Sequence, residues 1–356
     1  MAVSNAGPVR LLILGTGRMA ANHVEHFRGI DGVRVVAGVD SNSERLAGFG
    51  EEFGIEHRFS SFGEALEWGD FDAVANVTPD AVHHATTLPV LAAGKHILCE
   101  KPLATCEADA RGMADAAARA GVVAMVNLSY RRVEAMQKAA AMVAEGAIGP
   151  IRHFEASYLQ SWLTQSAWGD WRTRPEWLWR LSTAHGSKGV LGDVGIHILD
   201  FATFVAGQFV REVSCRLATY DKAPGGRIGD YVLDANDSAT LQVTLDNGAL
   251  GTVSASRFAS GHINDLRLRI YGEKGGLEVL FEKSGSTLNA CLGGDLEEAR
   301  WTSVPTDPVP TIYETFIAAI RGEVAPDPDF NRGARLQRLL DLAEASAERA
   351  GLTLPF

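Results

Sequence analysis

The sequence has few cysteines, four in 356 residues. Cys99, Cys106, Cys215 and Cys291 are scattered, without the spacing of metal ligands or of a disulfide framework. This distribution argues against a cysteine-based metal centre and against a small protein held together by disulfides. We therefore expect no metal and a reduced, cytoplasmic protein.

The sequence also lacks an excess of positive charge and any long apolar run. Its formal net charge is −11, whereas nucleic acids and anionic membranes are bound through basic patches. No stretch is apolar for long enough to cross a bilayer, and the first residues do not follow the pattern of a secretory signal. We expect a small-molecule substrate as partner, with no nucleic acid and no membrane.

The first third of the chain alternates β-branched runs with amphipathic stretches, which predicts βαβ units. Strands are predicted over 10–14, 33–39, 71–77, 96–99 and 122–126. Helices are predicted over 19–28, from Ser43, around 83–93 and over 107–120. This order is typical of an α/β fold with a doubly wound parallel sheet. A length of 356 residues suits two domains, and we place the first at 1–126.

The stretch LLILGTGRMA places Gly15, Gly17 and Ala20 in the pattern G-x-G-x-x-A between the first strand and the first helix. Glycines there allow a tight turn and a close approach to a pyrophosphate, while the helix start presents its N–H groups to the phosphates. Asp40 ends the second strand, where an acid accepts hydrogen bonds from the adenosine ribose. These features predict a Rossmann dinucleotide site. Asp40 favours NAD over NADP, although Arg45 lies near enough to leave NADP possible.

The rest of the chain, 127–356, is predicted to be an α+β domain for substrate binding and oligomerisation. A long strand is predicted over 151–162 and a helix over 190–204. Asp246-Asn247-Gly248 and 272–276 separate pairs of alternating runs, as in β-hairpins. Successive strands without intervening helices indicate an open, mainly antiparallel sheet. Because such a sheet has one face to cover, we expect a homodimer or a homotetramer.

Four stretches resemble the Gfo/Idh/MocA family of oxidoreductases, named after glucose–fructose oxidoreductase and inositol dehydrogenase. They are the turn Gly15-Thr16-Gly17, the T-P-x-x-x-H stretch of Thr78, Pro79 and His83, the E-K-P of Glu100, Lys101 and Pro102, and the D-x-G-x-H-x-x-D of Asp193, Gly195, His197 and Asp200. The predicted cofactor-binding residues are Gly15, Thr16, Gly17, Arg18, Met19, Asp40, Ser41, Arg45, Thr78, Pro79, His83, Glu100, Lys101 and Asn127. The resemblance also implies that Lys101 is catalytic.

The residues themselves give a reason for that role. Lys101 follows a parallel strand, at the edge of the sheet where ligands bind, and its cation can stabilise an oxygen that becomes charged during hydride transfer. Asp193, His197 and Asp200 would share one face of an α-helix. We predict that His197 accepts the proton of the reacting hydroxyl with help from Lys101, and that Asp193 orients the substrate. Which of Lys101 and His197 takes the proton is left open.

A tryptophan-rich segment completes the predicted substrate site. It contains Trp162, Trp168, Trp171, Trp177 and Trp179. Aromatic faces near arginines suit a sugar or polyol ring, and we predict that Trp162, or else Trp168, lines the pocket together with Arg180. One of Arg131 and Arg132 could also face the cleft.

The prediction for function is an NAD(P)-dependent dehydrogenase that oxidises a secondary hydroxyl of a cyclic sugar, an anhydrosugar or an inositol-like polyol. Rival hypotheses on the same scaffold are an NADPH-dependent reductase of a small cyclic carbonyl compound or a dihydrodiol dehydrogenase, a redox-neutral glycosidase that uses NAD transiently, and a non-catalytic sensor of dinucleotide or sugar. The joint presence of Lys101, Asp193 and His197 argues against the sensor.

Overall fold

The computed structural model describes residues 7–356; at positions 175 and 176 it describes the backbone alone. The chain forms two compact units. The first comprises the chain up to Leu128 together with Pro310–Gln337, and the second comprises Ser129–Val309 and Arg338–Phe356.

The first unit is built on a six-stranded parallel sheet. Its strands are β1 Val9–Leu14, β2 Val33–Val39, β3 His57–Phe59, β4 Ala73–Asn76, β5 His96–Cys99 and β6 Ala124–Val126. They lie in the order β3-β2-β1-β4-β5-β6. The chain moves outward from β1 in one direction and then returns to continue from β4 in the other, so the carboxyl ends of β1 and β4 form the switch point at which ligands bind. The predicted doubly wound sheet is confirmed.

Helices connect these strands. They are α1 Arg18–Arg28, α2 Ser43–Glu52, α3 Phe62–Trp68, α4 His83–Ala92 and α5 Glu107–Ala120. Strand β3 and helix α3 were not among the predicted elements. Both are short, and β3 has no fully buried residue, so it carries little hydrophobic periodicity.

The second unit contains a nine-stranded mixed sheet. Its strands are β7 Ile151–Gln160, β8 Val210–Ala218, β11 Ser238–Leu245, β12 Leu250–Ser256, β13 Asn264–Gly272, β14 Gly275–Glu282, β15 Gly285–Leu292, β16 Thr302–Ser303 and β17 Leu354–Pro355; β9 Arg227–Ile228 and β10 Tyr231–Val232 form a separate two-stranded ribbon. Neighbours pair antiparallel, except β7 with β12. The hairpins predicted at Asn247-Gly248 and at 272–276 are confirmed.

The helices of this part of the chain are α6 Glu134–Ala144, α7 Pro175–Leu178, α8 Ile196–Ala206, α9 Ile312–Ile320 and α10 Phe330–Glu348. The segment predicted as one helix over 190–204 is not uniform. Leu191–Gly195 forms a π-helical turn that runs directly into α8. Such a turn changes the angular spacing of side chains relative to an α-helix, so the predicted common face of Asp193, His197 and Asp200 needs correction.

Helix α9 returns to the first unit. Tyr313 and Phe316 on α9 pack edge-on against Phe27 of α1, and Val24 of α1 belongs to the same core. Helix α9 therefore covers apolar residues of α1 and of the adjacent sheet, and it belongs to the core of the first unit although it lies late in the chain. The sequence prediction assigned all of 127–356 to the second domain, and the structure differs in placing 310–337 with the first unit.

The large sheet alternates buried apolar residues with more exposed polar ones. In register across its centre, Thr252, Glu155 and Arg269 stand side by side on β12, β7 and β13, and Arg269 lies within 3.6 Å of Glu155. Arg267 pairs with Glu278 on the neighbouring strand. The expectation of an exposed apolar face is therefore wrong at the sheet centre, which carries polar and charged side chains. The predicted oligomer loses that argument and stays a prediction.

Residues 7–356 contain neither a candidate membrane span nor a candidate metal site. No helix in that range is long and apolar enough to cross a bilayer. No group of three or more His, Cys, Asp or Glu side chains in the same range is placed to hold a metal ion.

Candidate active site

The glycine turn has the geometry expected for a phosphate site. Gly15 has a φ of +90°, and a Cβ added to it would lie 2.9 Å from the carbonyl oxygen of Val77, so this position requires glycine. Gly17 immediately precedes α1, and a Cβ added there would meet nothing within 4 Å. Free space therefore remains at the start of α1, where unpaired N–H groups attract an anion.

Asp40 lies beside this turn at the end of β2, nearly buried. Its Oδ2 accepts hydrogen bonds from the backbone N–H and the hydroxyl of Thr16, both at 2.9 Å, while Oδ1 accepts from the N–H of Asn42 at 2.9 Å. Arg45 donates to both oxygens, at 2.9 and 2.7 Å. Burial alone would raise the pKa of Asp40, but these donors outweigh it and lower the pKa to about 2. An ionised acceptor at this place fits an adenosine ribose, provided that Arg45 turns aside.

The other cofactor residues predicted near the turn are accessible or support its neighbours. Arg18, Met19, Ser41 and Pro79 are exposed. Thr78 donates through its hydroxyl to Oδ1 of Asn76 at 2.7 Å, and the Asn76 amide donates to Thr86 and Thr87 at 2.9 and 3.0 Å. This bonding explains a buried asparagine in an otherwise apolar strand: Asn76 holds the turn after β4 against α4.

The Glu100-Lys101 turn is anchored by a buried polar network. Oε1 of Glu100 lies 2.8 Å from Nε2 of His23 and accepts from the Asn127 amide at 2.6 Å, while Oε2 accepts from the Lys101 N–H at 3.2 Å. Burial would raise the pKa of Glu100, but His23, Lys101 and Asn127 lower it to about 2. Tyr313 extends the network by donating to Asn22 at 3.1 Å.

The network gives Glu100 and Asn127 partners within the protein, so their predicted contact with the cofactor stays a prediction. Sequence reasoning assigned no role to His23, because an isolated histidine on a helix carries no motif. The signal that could have found it is its spacing on α1: with Ala20, Val24 and Phe27, His23 forms the buried face of that helix.

His83 requires a correction. Its ring is fully buried, with Nδ1 2.9 Å from the carbonyl oxygen of Pro102 and Nε2 2.8 Å from that of Thr78. Since both ring nitrogens are occupied by backbone carbonyls, the predicted direct contact of this ring with the cofactor is wrong. His83 lies behind the two turns and joins them.

In the second unit, Asp193 lies in the π-helical turn, with about a quarter of its side chain exposed. Its Oδ2 is 3.0 Å from Nη2 of Arg257 and 3.6 Å from Nε of Arg180. One carboxylate therefore has two cationic partners. Asp193 is therefore equipped to accept hydrogen bonds from a polar ligand.

Arg257 is fully buried, and sequence reasoning missed it. Besides Asp193, its guanidinium donates to the carbonyl oxygens of Arg180 at 2.9 Å and Gly189 at 3.3 Å, and its centre lies 5.2 Å from the Trp162 ring. Burial lowers the pKa of Arg257, while Asp193 acts in the opposite direction. Arg257 therefore ties Asp193, the segment before the π-helical turn and the tryptophan cluster together.

The tryptophan prediction also needs correction. Trp162 is 1% exposed, packs in a core with Leu163, Trp171 and Leu181, and donates from its indole nitrogen to Gln160 at 3.1 Å. It supports the site from behind instead of lining it. Trp168 is partly exposed against the same core. Arg180 keeps about a quarter of its side chain exposed.

His197 lies in the first turn of α8 against two tyrosines. Its ring is edge-on to that of Tyr130, with centroids 4.8 Å apart, and 6.2 Å from that of Tyr158. The two tyrosine hydroxyls are 2.8 Å apart; Tyr158 donates to Oδ1 of Asn264 at 2.7 Å, and the Asn264 amide donates to Tyr130 at 2.7 Å. Gln160 also donates to Asn264, at 2.8 Å. We call Tyr130, Tyr158, Gln160 and Asn264 the amide–phenol network.

This network was missed because its members come from β7, from β13 and from the segment before α6. Burial, Tyr130 and Asp193 raise the pKa of Tyr158 well above its ordinary value, so its hydroxyl stays protonated and can donate. The network borders His197 with neutral donors and acceptors.

Asp200 has a structural partner. It is 2% exposed and forms an ion pair with Arg131, whose Nε is 3.1 Å from Oδ2 and whose guanidinium lies 4.4 Å from the Phe204 ring. The pair ties α8 to the segment before α6. Arg131 is buried in this contact, so the idea that it faces the cleft is wrong.

Comparison with known proteins places these features in a family. Residues 9–128 match the family model described as "Oxidoreductase family, NAD-binding Rossmann fold", and residues 136–278 match that of the GFO/IDH/MocA C-terminal domain. The 1,5-anhydro-D-fructose reductase of Ensifer adhaerens is 30% identical, over 88% of this chain and 87% of that protein. The levoglucosan dehydrogenase of Pseudarthrobacter phenanthrenivorans is 29% identical, over 76% and 70%.

Solved structures agree. The oxidoreductase domain protein from Kribbella flavida has a TM-score of 0.87 and 30% identity, and levoglucosan dehydrogenase in complex with NADH and L-sorbose has a TM-score of 0.86 and 26% identity; in both cases 98% of this chain and 99% of the other are covered. The chain belongs to the GFO/IDH/MocA family of oxidoreductases, and its first unit is an NAD-binding Rossmann domain.

Proposed function

We propose that the protein is an NAD-dependent dehydrogenase that oxidises a secondary hydroxyl of a cyclic sugar, an anhydrosugar or an inositol-like polyol. The observation that carries the proposal is the constellation around α8. There an aspartate held by Arg257 and a histidine against two tyrosines stand four residues apart, beside an array of neutral hydrogen-bonding groups. Names of relatives, such as levoglucosan dehydrogenase, D-apiose dehydrogenase and myo-inositol 2-dehydrogenase, support the same substrate class.

The reaction removes a hydride and a proton from a CH–OH group and leaves a ketone. NAD, which the glycine turn and Asp40 would hold, would supply the acceptor for the hydride. The proton goes to His197, whose neutral imidazole is the general base, while Lys101 donates a hydrogen bond to the oxygen as its charge develops. In the reverse direction the same groups return the proton.

Asp193 orients the substrate in this proposal. Its carboxylate is compensated by Arg257 and Arg180, so it favours the role of an ionised acceptor over that of a proton carrier. A second hydroxyl of the ligand would donate to it. The amide–phenol network offers neutral donors and acceptors, which suit a ring with several hydroxyls and no charge.

The proposal assigns the dinucleotide to the domain predicted at 1–126, and the substrate, with oligomerisation, to the domain predicted at 127–356, apart from 310–337, which belongs to the first unit. Asp40 supports NAD over NADP, since an ionised carboxylate accepts from a 2′-hydroxyl and repels a 2′-phosphate. A homodimer or homotetramer in the cytoplasm is our expectation; light scattering after size-exclusion chromatography measures the assembly.

The test is the absorbance of reduced nicotinamide when the purified protein is mixed with a panel of sugars, anhydrosugars and inositols, with NAD and NADP in parallel. We expect turnover with one compound class and a preference for NAD. The variants K101A and H197A should each lower kcat by about 10²–10⁴-fold. The exposed residues Lys283 and His153 provide the controls K283A and H153A. Turnover at the wild-type rate in K101A or H197A would refute the assignment of roles.

A further inference from the structure

His83 joins the two turns that follow neighbouring strands of the parallel sheet. Strands β4 and β5 pair in register up to Asn76 and Cys99. The turn after β4 contributes the carbonyl oxygen of Thr78, and the turn after β5 contributes that of Pro102. The ring lies between the two oxygens and is fully buried.

A carbonyl oxygen can only accept a hydrogen bond, so each ring nitrogen of His83 must carry a proton. A neutral imidazole has one N–H group, and only the imidazolium has two. We propose that His83 is an imidazolium throughout the neutral pH range, and that it holds the Thr78 and Pro102 turns together and thereby positions Lys101. The part that concerns Lys101 rests on the proposed function.

The surroundings of the ring are consistent with this charge. Burial alone would lower the pKa of His83, but the sulfur of Cys99 and the carbonyl oxygens of Pro102 and Thr78 raise it to about 9. Cys99, on β5, is the titratable side chain that faces the ring, and it lies 3.9 Å from the Thr87 hydroxyl. The charge is therefore present throughout the neutral range.

The position of the two His83 hydrogen bonds has a consequence for catalysis. Pro102 is the residue after Lys101, and the Lys101–Pro102 peptide bond is cis. One backbone hydrogen bond, from the Glu100 N–H to the Asn76 carbonyl at 2.9 Å, continues the ladder between the two turns. Without the imidazolium, the backbone on the far side of Lys101 loses its link to the β4 turn. A displacement of a reacting group by about 1 Å costs on the order of 10²-fold in rate.

The first test reads protonation directly and needs neither cofactor nor substrate. Nitrogen-15 NMR of protein labelled at its ten histidines should show one ring with both nitrogens protonated at pH 8, and this signal should be missing from H83Q. If H83Q does not fold, replacing each of the other histidines in turn assigns the signal by elimination. A spectrum at pH 8 in which the His83 ring has an unprotonated nitrogen would overturn the proposal, whatever the fate of the proposed function.

The second test compares H83Q with H84Q. Glutamine carries its donors on a single nitrogen and cannot reach carbonyl groups on opposite sides of a ring. His84 is the next residue on α4 and keeps 38% of its side chain exposed. We expect kcat to fall about 10–100-fold in H83Q, with a smaller change in the Kd of NAD, and to stay within about twofold in H84Q.

The pH dependence of the free energy of unfolding distinguishes a charged, hydrogen-bonded His83 from a ring that contributes only by packing. Because the pKa of His83 is raised, its contribution to stability is complete below about pH 6.5 and is lost as the pH rises through about 9. H83Q should lack this alkaline loss. A variant with the alkaline dependence of the wild type, or with an unchanged kcat, would contradict the proposal.

Discussion

The glycine turn of the first unit and the surroundings of α8 in the second unit are built from different kinds of contact. Around the glycine turn, most partners are close together in the chain: Asn42 and Arg45 reach Asp40 across two and five residues, and Thr16 reaches it across 24. Around α8, Arg257 reaches Asp193 across 64 residues, and Asn264 reaches Tyr130 across 134. The geometry of the glycine turn depends mainly on local backbone conformation. The geometry around α8 depends on the correct packing of strands that are distant in the chain. Substitutions around α8 should therefore act mainly on stability, whereas those around the glycine turn should divide between stability and binding.

The largest effect should come from Arg257. Replacing it by methionine leaves the Asp193 carboxylate without its buried partner and removes two bonds to backbone carbonyls. Breaking a buried pair costs about 3–5 kcal/mol, which urea denaturation of R257M would measure. The control R267M, at a half-exposed pair with Glu278, should lose less than about 1 kcal/mol. Equal stability of the two variants would contradict the view that the region around α8 depends on buried contacts between distant residues.

Glu100 tests whether the first unit also depends on contacts between residues distant in the chain, since its partners His23 and Asn127 are 77 and 27 residues away. The lowered pKa of Glu100, about 2, means that this carboxylate stabilises the fold at any pH above the ordinary glutamate pKa. The contribution is lost as the pH falls from that ordinary value through about 2. E100Q should therefore be less stable by about 3 kcal/mol at pH 7 and should lose less stability than the wild type between pH 6 and pH 3. The control is E67Q, at an exposed position on α3. Parallel pH curves for E100Q and the wild type would contradict the network.

The two glycines of the turn separate folding from binding. G15A places a side chain at φ +90° and against the Val77 carbonyl, so it should lower the free energy of unfolding by about 1–3 kcal/mol. G17A meets no protein atom and should keep its stability within about 0.5 kcal/mol, yet lose affinity for NAD because its methyl group occupies the space meant for phosphate. Calorimetry of unfolding and of NAD binding gives both quantities. Unchanged NAD binding in G17A would count against the phosphate site.

The smallest effect should be that of Arg45, whose side chain is half exposed. Arg45 is a cation that contacts Asp40, and a 2′-phosphate would lie beside that aspartate, so R45A should lower kcat/KM with NADP by up to about fivefold and leave that with NAD within about twofold. R58A, at another exposed arginine of the same unit, is the control. A gain in NADP use by R45A would show that Arg45 does not select between the cofactors.

Features that depend on a few consecutive residues could be predicted from the sequence. The turn at Gly15 and Gly17, the acid at Asp40 and the charged turn at Lys101 follow from strand ends and turn chemistry, which depend on neighbours in the chain. Strand β3, helix α3 and the return of α9 were not predicted, since short elements have weak periodicity and the partner of a helix is chosen by packing. Arg257, Tyr130, Tyr158 and Asn264 carry no local pattern either, and His23 shows only the spacing of a buried helix face.

The sequence by itself determined the parallel sheet, the glycine turn and the hairpins, because periodicity and turn residues act over short distances. Only the tertiary structure decided which polar groups are buried and what they contact. Asp193, His197 and Asp200 follow one another within eight residues, yet one is held by Arg257, one packs on Tyr130 and one pairs with Arg131. Those partners arrive from other strands and segments, and the cost of burying a charge or hydroxyl unpaired is what fixes each of them in place.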